Sequence, residues 1–62
     1  MKLNKFYKIT LINCDFEIKV IEMRKNSVIG KTEYNHIYKF NKSDLKTYKI
    51  TEISKKQYLN IN

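Results

Sequence analysis

Cys14 and His36 are the chain's one thiol and one imidazole. A thiolate can act as nucleophile or metal ligand, and an imidazole can carry a proton near neutral pH or bind a metal. Both need neighbours that this sequence does not supply. Cys14 lies in a turn, Asn13-Cys14-Asp15, with no adjacent base to generate a thiolate. His36 falls among Tyr34, Tyr38 and Phe40 and reads as a half-buried, hydrogen-bonded member of an aromatic face. No second histidine and no cysteine pair complete a zinc set, so neither a metal nor a cofactor is expected.

The other acid–base and nucleophile candidates are equally sparse. Asp15 and Asp44 read as turn residues, whereas Glu17, Glu22, Glu33 and Glu52 alternate with lysine. That alternation is the usual mark of a solvated sheet face with weak cross-strand pairs. Ser27, Ser43 and Ser54 sit at turns or strand ends, without a Gly-x-Ser-x-Gly elbow. A single glycine, Gly30, excludes a glycine-rich phosphate loop. With no nucleophile–base pair and no pocket signature, an enzyme is not expected.

Lysine interleaved with aromatics carries more functional content: Lys5-Phe6-Tyr7-Lys8, Tyr38-Lys39-Phe40 and Tyr48-Lys49. On an exposed sheet, Tyr34, Tyr38 and Tyr48 would stack on bases while Lys8, Lys39 and Lys49 follow the phosphates. The competing assignment puts the aromatics in the core and leaves lysine on the solvated face. A domain this small needs its aromatics inside, which favours the second assignment.

The elements that would position these residues are strands. Tyr7, Ile9 and Leu11 lie two apart, as do Phe16, Ile18 and Val20, so each set shares one strand face. The spacing predicts a hairpin over Lys5–Lys25 folded about Cys14-Asp15, with paired numbers summing to 29 and Leu11 opposite Ile18. After Val20 the apolar phase shifts, and in this register Phe6 and Met23, and Lys8 and Ile21, share the other face. The open end of the hairpin is then apolar on both sides, around Phe6, Ile21 and Met23. A second layer must cover it: later strands, the C-terminal tail or another chain.

Lys25-Asn26-Ser27 reads as the next connection. From Val28 to Phe40 a period-2 pattern, with the aromatics on even positions, predicts one long strand bent or bulged at Gly30. Asn41-Lys42-Ser43-Asp44 is a turn cluster, with a short helical turn near 43–46 as an option and Ser43 as its cap. Residues 46–53 then read as a strand, because their apolar residues form no stripe at helical spacing. Pairing it with the preceding strand at a sum of 86 would set Tyr38 opposite Tyr48 and His36 opposite Ile50. Residues 55–62 read as a frayed tail, with a helical turn after Ser54 or a partial strand through Tyr58, Leu59 and Ile61 as alternatives. The expected whole is a single all-β domain, a small antiparallel meander of four to five strands forming a curled sheet or a small open barrel.

Sixty-two residues bury a thin core, and one cysteine allows no internal disulfide, so self-association or a partner would help stability. No apolar run exceeds two residues, and no leader is apparent, from which a soluble, cytoplasmic protein is expected. The net charge of +7 comes from twelve lysines, one arginine and six acids, spread evenly along the chain. Lysine, isoleucine, asparagine and tyrosine make up more than half of the residues, a bias of AT-rich coding that weakens any inference from lysine number.

Two functions are expected in order. The first is a non-catalytic protein-binding module, using a sheet edge such as that of residues 28–40 or the apolar patch of Phe6, Ile21 and Met23, with a host protein or a second copy as partner. In size and composition the chain resembles accessory proteins of bacteriophages and mobile elements that dock on and inhibit a host protein. The alternative is a basic nucleic-acid-binding sheet using the lysines and tyrosines named above. Scarce arginine and the absence of a basic stripe place it second.

Overall fold

A computed structural model of the chain describes residues 1–59. Five strands form one open antiparallel sheet: β1 (Phe6–Thr10), β2 (Asp15–Met23), β3 (Ser27–Thr32), β4 (Ile37–Asn41) and β5 (Lys49–Ile53). Two short helices complete it, α1 (Lys42–Leu45) and α2 (Lys55–Leu59). Strands β1 to β4 make the expected meander, and β5 returns to the far side of β1, for an order of β4-β3-β2-β1-β5. No described helix is long and apolar enough to cross a membrane.

The first hairpin keeps its predicted faces but not its register. Paired numbers sum to 25, so Tyr7 faces Ile18 and Ile9 faces Phe16, in place of the expected Ile9–Val20 and Leu11–Ile18 pairs. The turn centres on Ile12-Asn13 and is closed by the Leu11 N–H on the Cys14 carbonyl at 2.8 Å. A slip of two residues in each strand preserves the in–out alternation, so the apolar pattern could not distinguish the two registers. The observed register leaves Ile12, in the turn, 97% exposed.

A β-bulge accounts for the phase shift after Val20. Val20 pairs with Gly30, but Glu22 pairs with Ile29 and Met23 with Val28, which leaves Ile21 as the extra residue. The bulge returns Met23 to the core side, correcting the expectation that it shares a face with Ile21.

The expected long strand 28–40 is a hairpin. The chain reverses through Glu33-Tyr34-Asn35, with Asn35 in the left-handed region at φ 67°. Thr32 organises the reversal: its N–H bonds the His36 carbonyl at 2.7 Å, and its Oγ1 accepts the N–H of Tyr34 and of His36. The β3–β4 pairs sum to 68, an even number, so even positions stay on one face through the turn. Gly30 itself does not bulge. It lies opposite the bulged segment, and a Cβ there would come within 2.8 Å of Ile18 Cδ1 and 3.4 Å of Phe40.

The fourth predicted strand exists but pairs elsewhere. β5 bonds to β1, with Ile50 opposite Ile9, and not to β4 as expected. The connection through α1 crosses the core face, where Leu45 and Tyr48 pack on the buried cluster of Tyr7, Ile9, Ile18, Val20 and Val28. Ending as a strand beside β4 would have left that face uncovered. The four fully buried residues of the cluster, Ile9, Ile18, Val20 and Val28, each contribute about 1.5–3 kcal/mol by removal from water. Helix α1 starts at Lys42 after Asn41, without a side-chain cap, so Ser43 does not cap it.

Residues 55–59 form α2, neither frayed nor a strand, and Ile61 lies outside the described residues. Ser54 Oγ accepts the Gln57 N–H at 3.0 Å, a helix-capping contact. The helix lies on the sheet face opposite the core. There the Tyr58 ring meets Phe6 at 4.9 Å, and its hydroxyl is shared between the carbonyls of Lys31 and Thr32, both at 2.8 Å.

Candidate functional site

The sheet has two edges, and they differ in chemistry. In β4 the even residues bond inward to β3, as the Thr32–His36 and Asn26–Lys42 backbone bonds on either side show. The backbone groups of Ile37, Lys39 and Asn41 therefore point outward. The neighbouring side chains are apolar and open: Ile37 is 64% exposed and Tyr38 50%. The β5 edge exposes Lys49, Thr51 and Glu52 instead, the charged and polar composition that discourages strand addition.

Beside the β4 edge, on the core side of the sheet, lies a groove of about 450 Å³. Phe16 enters from the start of β2, Tyr34 and His36 from the β3–β4 turn, and Tyr38 and Phe40 from β4. The rings follow one another: Phe16 stacks on Phe40 at 6.0 Å, Phe40 meets Tyr38 at 6.3 Å, and Tyr38 meets His36 at 6.4 Å. Gly30 permits this floor, because its missing side chain admits Ile18 and the Phe40 ring. Asp15 and Glu33 line the groove and no lysine or arginine does. Three other grooves each carry two or three lysines, among them Lys42 and Lys46, Lys19 and Lys31, and Lys25.

A buried acidic pair adjoins the turn. Glu17 and Glu33 are 8% and 9% exposed, which corrects their assignment to a solvated face. Helix α2 covers Glu17, whose Oε2 accepts from Gln57 Nε2 at 3.1 Å. Glu33 Oε2 accepts the Glu17 N–H at 3.1 Å, and Glu17 Oε1 is buried without a hydrogen-bond partner among the described residues. The ion pairs among those residues, Lys8–Asp15 and Arg24–Glu22, include neither of these acids. Burial first, and then the negative charges of Glu33 and Glu17, raise the Tyr58 pKa above its usual value of 10.0.

The residues singled out in the sequence are dispersed. Phe6 is buried beneath Tyr58, Ile21 lies near both on the α2 side, and Met23 sits across the sheet near Met1, Val28 and Leu45. At the open end of the first hairpin α2 covers Phe6 through Tyr58, whereas Ile21 and Met23 stay 37% and 40% exposed. Of the nucleic-acid set, Tyr34 and Tyr38 line the aromatic groove and Tyr48 packs on the core. The register puts Lys8, Lys39 and Lys49 on the opposite face, and Lys8 is paired with Asp15 at 3.3 Å. His36 is exposed, not half-buried, and Cys14 is an exposed free thiol at the end of the groove. Sequence reasoning missed Phe16, Phe40 and Glu33 as one site, because only the reversal at Asn35 brings them together. Among the described residues no group of acids, histidines and cysteines could hold a metal.

No protein-family model, curated protein or solved structure matches this chain.

Proposed function

We propose that this chain is a non-catalytic protein-binding module that pairs an extended segment of its partner with the β4 edge. The observation that carries this reading is the edge itself. Outward backbone groups at Ile37, Lys39 and Asn41 are flanked by exposed Ile37 and Tyr38, with only Lys39 as a charge on that stretch. An open apolar edge is a template for strand addition, in which main-chain bonds give affinity and adjoining grooves give selectivity. The partner is a host protein or a second copy, and the size and AT-rich composition favour a mobile-element protein that inhibits the host protein it occupies. The nucleic-acid reading is weakened by the placement of Lys8, Lys39 and Lys49 across the sheet from Tyr34 and Tyr38.

Proline at position 39 removes the outward N–H and leaves the β3–β4 bonds in place. Affinity purification from the native host is therefore run with the native chain and with Lys39→Pro, each with and without nuclease. The expected result is a protein partner that survives nuclease and is lost from a folded Lys39→Pro chain. Loss of the partner on nuclease treatment, or its full retention by folded Lys39→Pro, overturns the reading.

A further inference from the structure

We infer that the sheet face opposite the core holds a binding site for a phosphate monoester, built from Lys19, Lys31 and Lys55 with Asn35. The site is separate from the β4 edge and does not depend on strand addition. A register is the first support. Lys19 of β2 and Lys31 of β3 are paired directly across the sheet, which sets their Cβ atoms about 4.5–5.5 Å apart on one face. Like charges so placed destabilise a sheet. Both residues are half-buried, and neither takes part in an ion pair among the described residues. The acids two positions along each strand, Glu17 and Glu33, are engaged instead by Gln57 and by the Glu17 N–H. A bound anion would offset the repulsion that the fold leaves standing. Position, and not lysine number, singles this pair out.

The groove at this pair is the second support. It measures about 300 Å³, and its lining adds Lys55 from the start of α2 and Asn35 from the β3–β4 turn. No acid lines it among the described residues. Phe6, Ile21 and Tyr58 supply apolar walls, and such walls strengthen the attraction between an ammonium and an anion by lowering the local dielectric. The donor set then fixes the ligand class. Three ammonium groups and one amide line the groove, more than the two oxygens of a carboxylate require. A phosphate monoester brings a charge of about −1.5 to −2 near neutral pH and three acceptor oxygens. Lysine binds such a group as a point charge. A phosphodiester, with one charge and two free oxygens, is the poorer match.

The test is an NMR titration of the isotope-labelled full chain with inorganic phosphate at fixed, low ionic strength, repeated with Lys31→Met and with Lys25→Met. Both variants lose one charge, but Lys25 lies outside the groove. Lys31→Met keeps the aliphatic stem and the backbone carbonyl that accepts the Tyr58 hydroxyl. Saturable shifts at Lys19, Lys31, Asn35 and Lys55 are expected. Lys31→Met should weaken binding about tenfold, the scale of one hydrogen bond to a charged group, and Lys25→Met should leave it unchanged. Without phosphate, Lys31→Met should also raise the thermal midpoint, because it relieves the repulsion. Glycerol phosphate and a phosphoserine peptide, as further arms, distinguish a small ester from a phosphorylated protein as the source. Equal weakening by the two variants, or shifts that never saturate, would mean general charge screening and overturn the inference. A midpoint that does not rise overturns it too, as does a thymidine dinucleotide, a diester, that binds there more tightly than the monoesters. Each of these results leaves strand addition at β4 standing.

Discussion

Glu33 Oε2 accepts the backbone N–H of Glu17 at 3.1 Å, so that a side chain continues the β2–β3 ladder beyond the point where β3 turns away. The pairs of this ladder run Lys19–Lys31 and Ile18–Thr32, and the next residue opposite Glu17 is Glu33 itself. Glu33→Ala therefore strands a buried N–H and should cost about 1–3 kcal/mol. Glu33→Gln keeps an acceptor oxygen and should cost clearly less. Urea unfolding of both variants decides it, and equal losses would show that the ladder bond contributes nothing.

Tyr58 links stability to alkaline pH. Its folded pKa lies above 10.0 because burial and the Glu33 and Glu17 charges disfavour the phenolate. A phenol that holds its proton more tightly when folded contributes stability in full below the unfolded pKa, and that contribution is lost as pH rises through the folded value. Tyr58→Phe should cost about 0.5–1.5 kcal/mol at neutral pH through the lost hydroxyl bond. Above pH 10 the gap between native and variant should narrow. A constant gap from pH 7 to 11, read by denaturant titration, would show that the phenol is not coupled to folding.

Gly30 joins core packing to the groove. A Cβ there would sit 2.8 Å from Ile18 Cδ1 and 3.2 Å from Ile18 Cβ, with Phe40 at 3.4 Å. Ile18 is fully buried and cannot swing aside freely. Gly30→Ala should destabilise by about 1–3 kcal/mol, the usual range for overpacking, and shift the Phe40 ring. Thermal unfolding and the Phe16–Phe40 proton contacts report the two effects together; unchanged stability with an unmoved ring would mean that the floor yields readily.

These relationships separate what was legible in the sequence from what was not. The all-β class and the core face of Tyr7, Ile9, Ile18 and Val20 follow from period-2 spacing alone. Register does not, because shifts by an even sum leave every residue on its face. The same parity hid the β3–β4 turn: about a centre at residue 34, even positions pair with even, and a hairpin repeats the pattern of one long strand. The groove was lost with it, since Phe16, Tyr38 and Phe40 converge only after that reversal. The buried Glu17 was hidden for another reason, for its cover is α2, forty positions along the chain at Gln57. The phase shift after Val20 is visible in the sequence, but whether such a shift is a bulge or a face change depends on the partner strand.

Asn35 is the residue that makes the reversal, and it is open to direct test. Its φ of 67° lies in the left-handed region, which asparagine tolerates and most residues with a Cβ do not. Asn35→Ala should cost about 1 kcal/mol, within the range for a non-glycine residue held there. Asn35→Gly relieves that strain but adds freedom to the unfolded chain, so its net effect should be close to neutral. Because Thr32 Oγ1 already holds Tyr34 and His36 by their backbone N–H groups, the glycine variant should keep the turn and the groove. Denaturant midpoints of the two variants supply the measurement. Alanine less damaging than glycine would place the stability of the turn in Thr32 and remove Asn35 as its determinant.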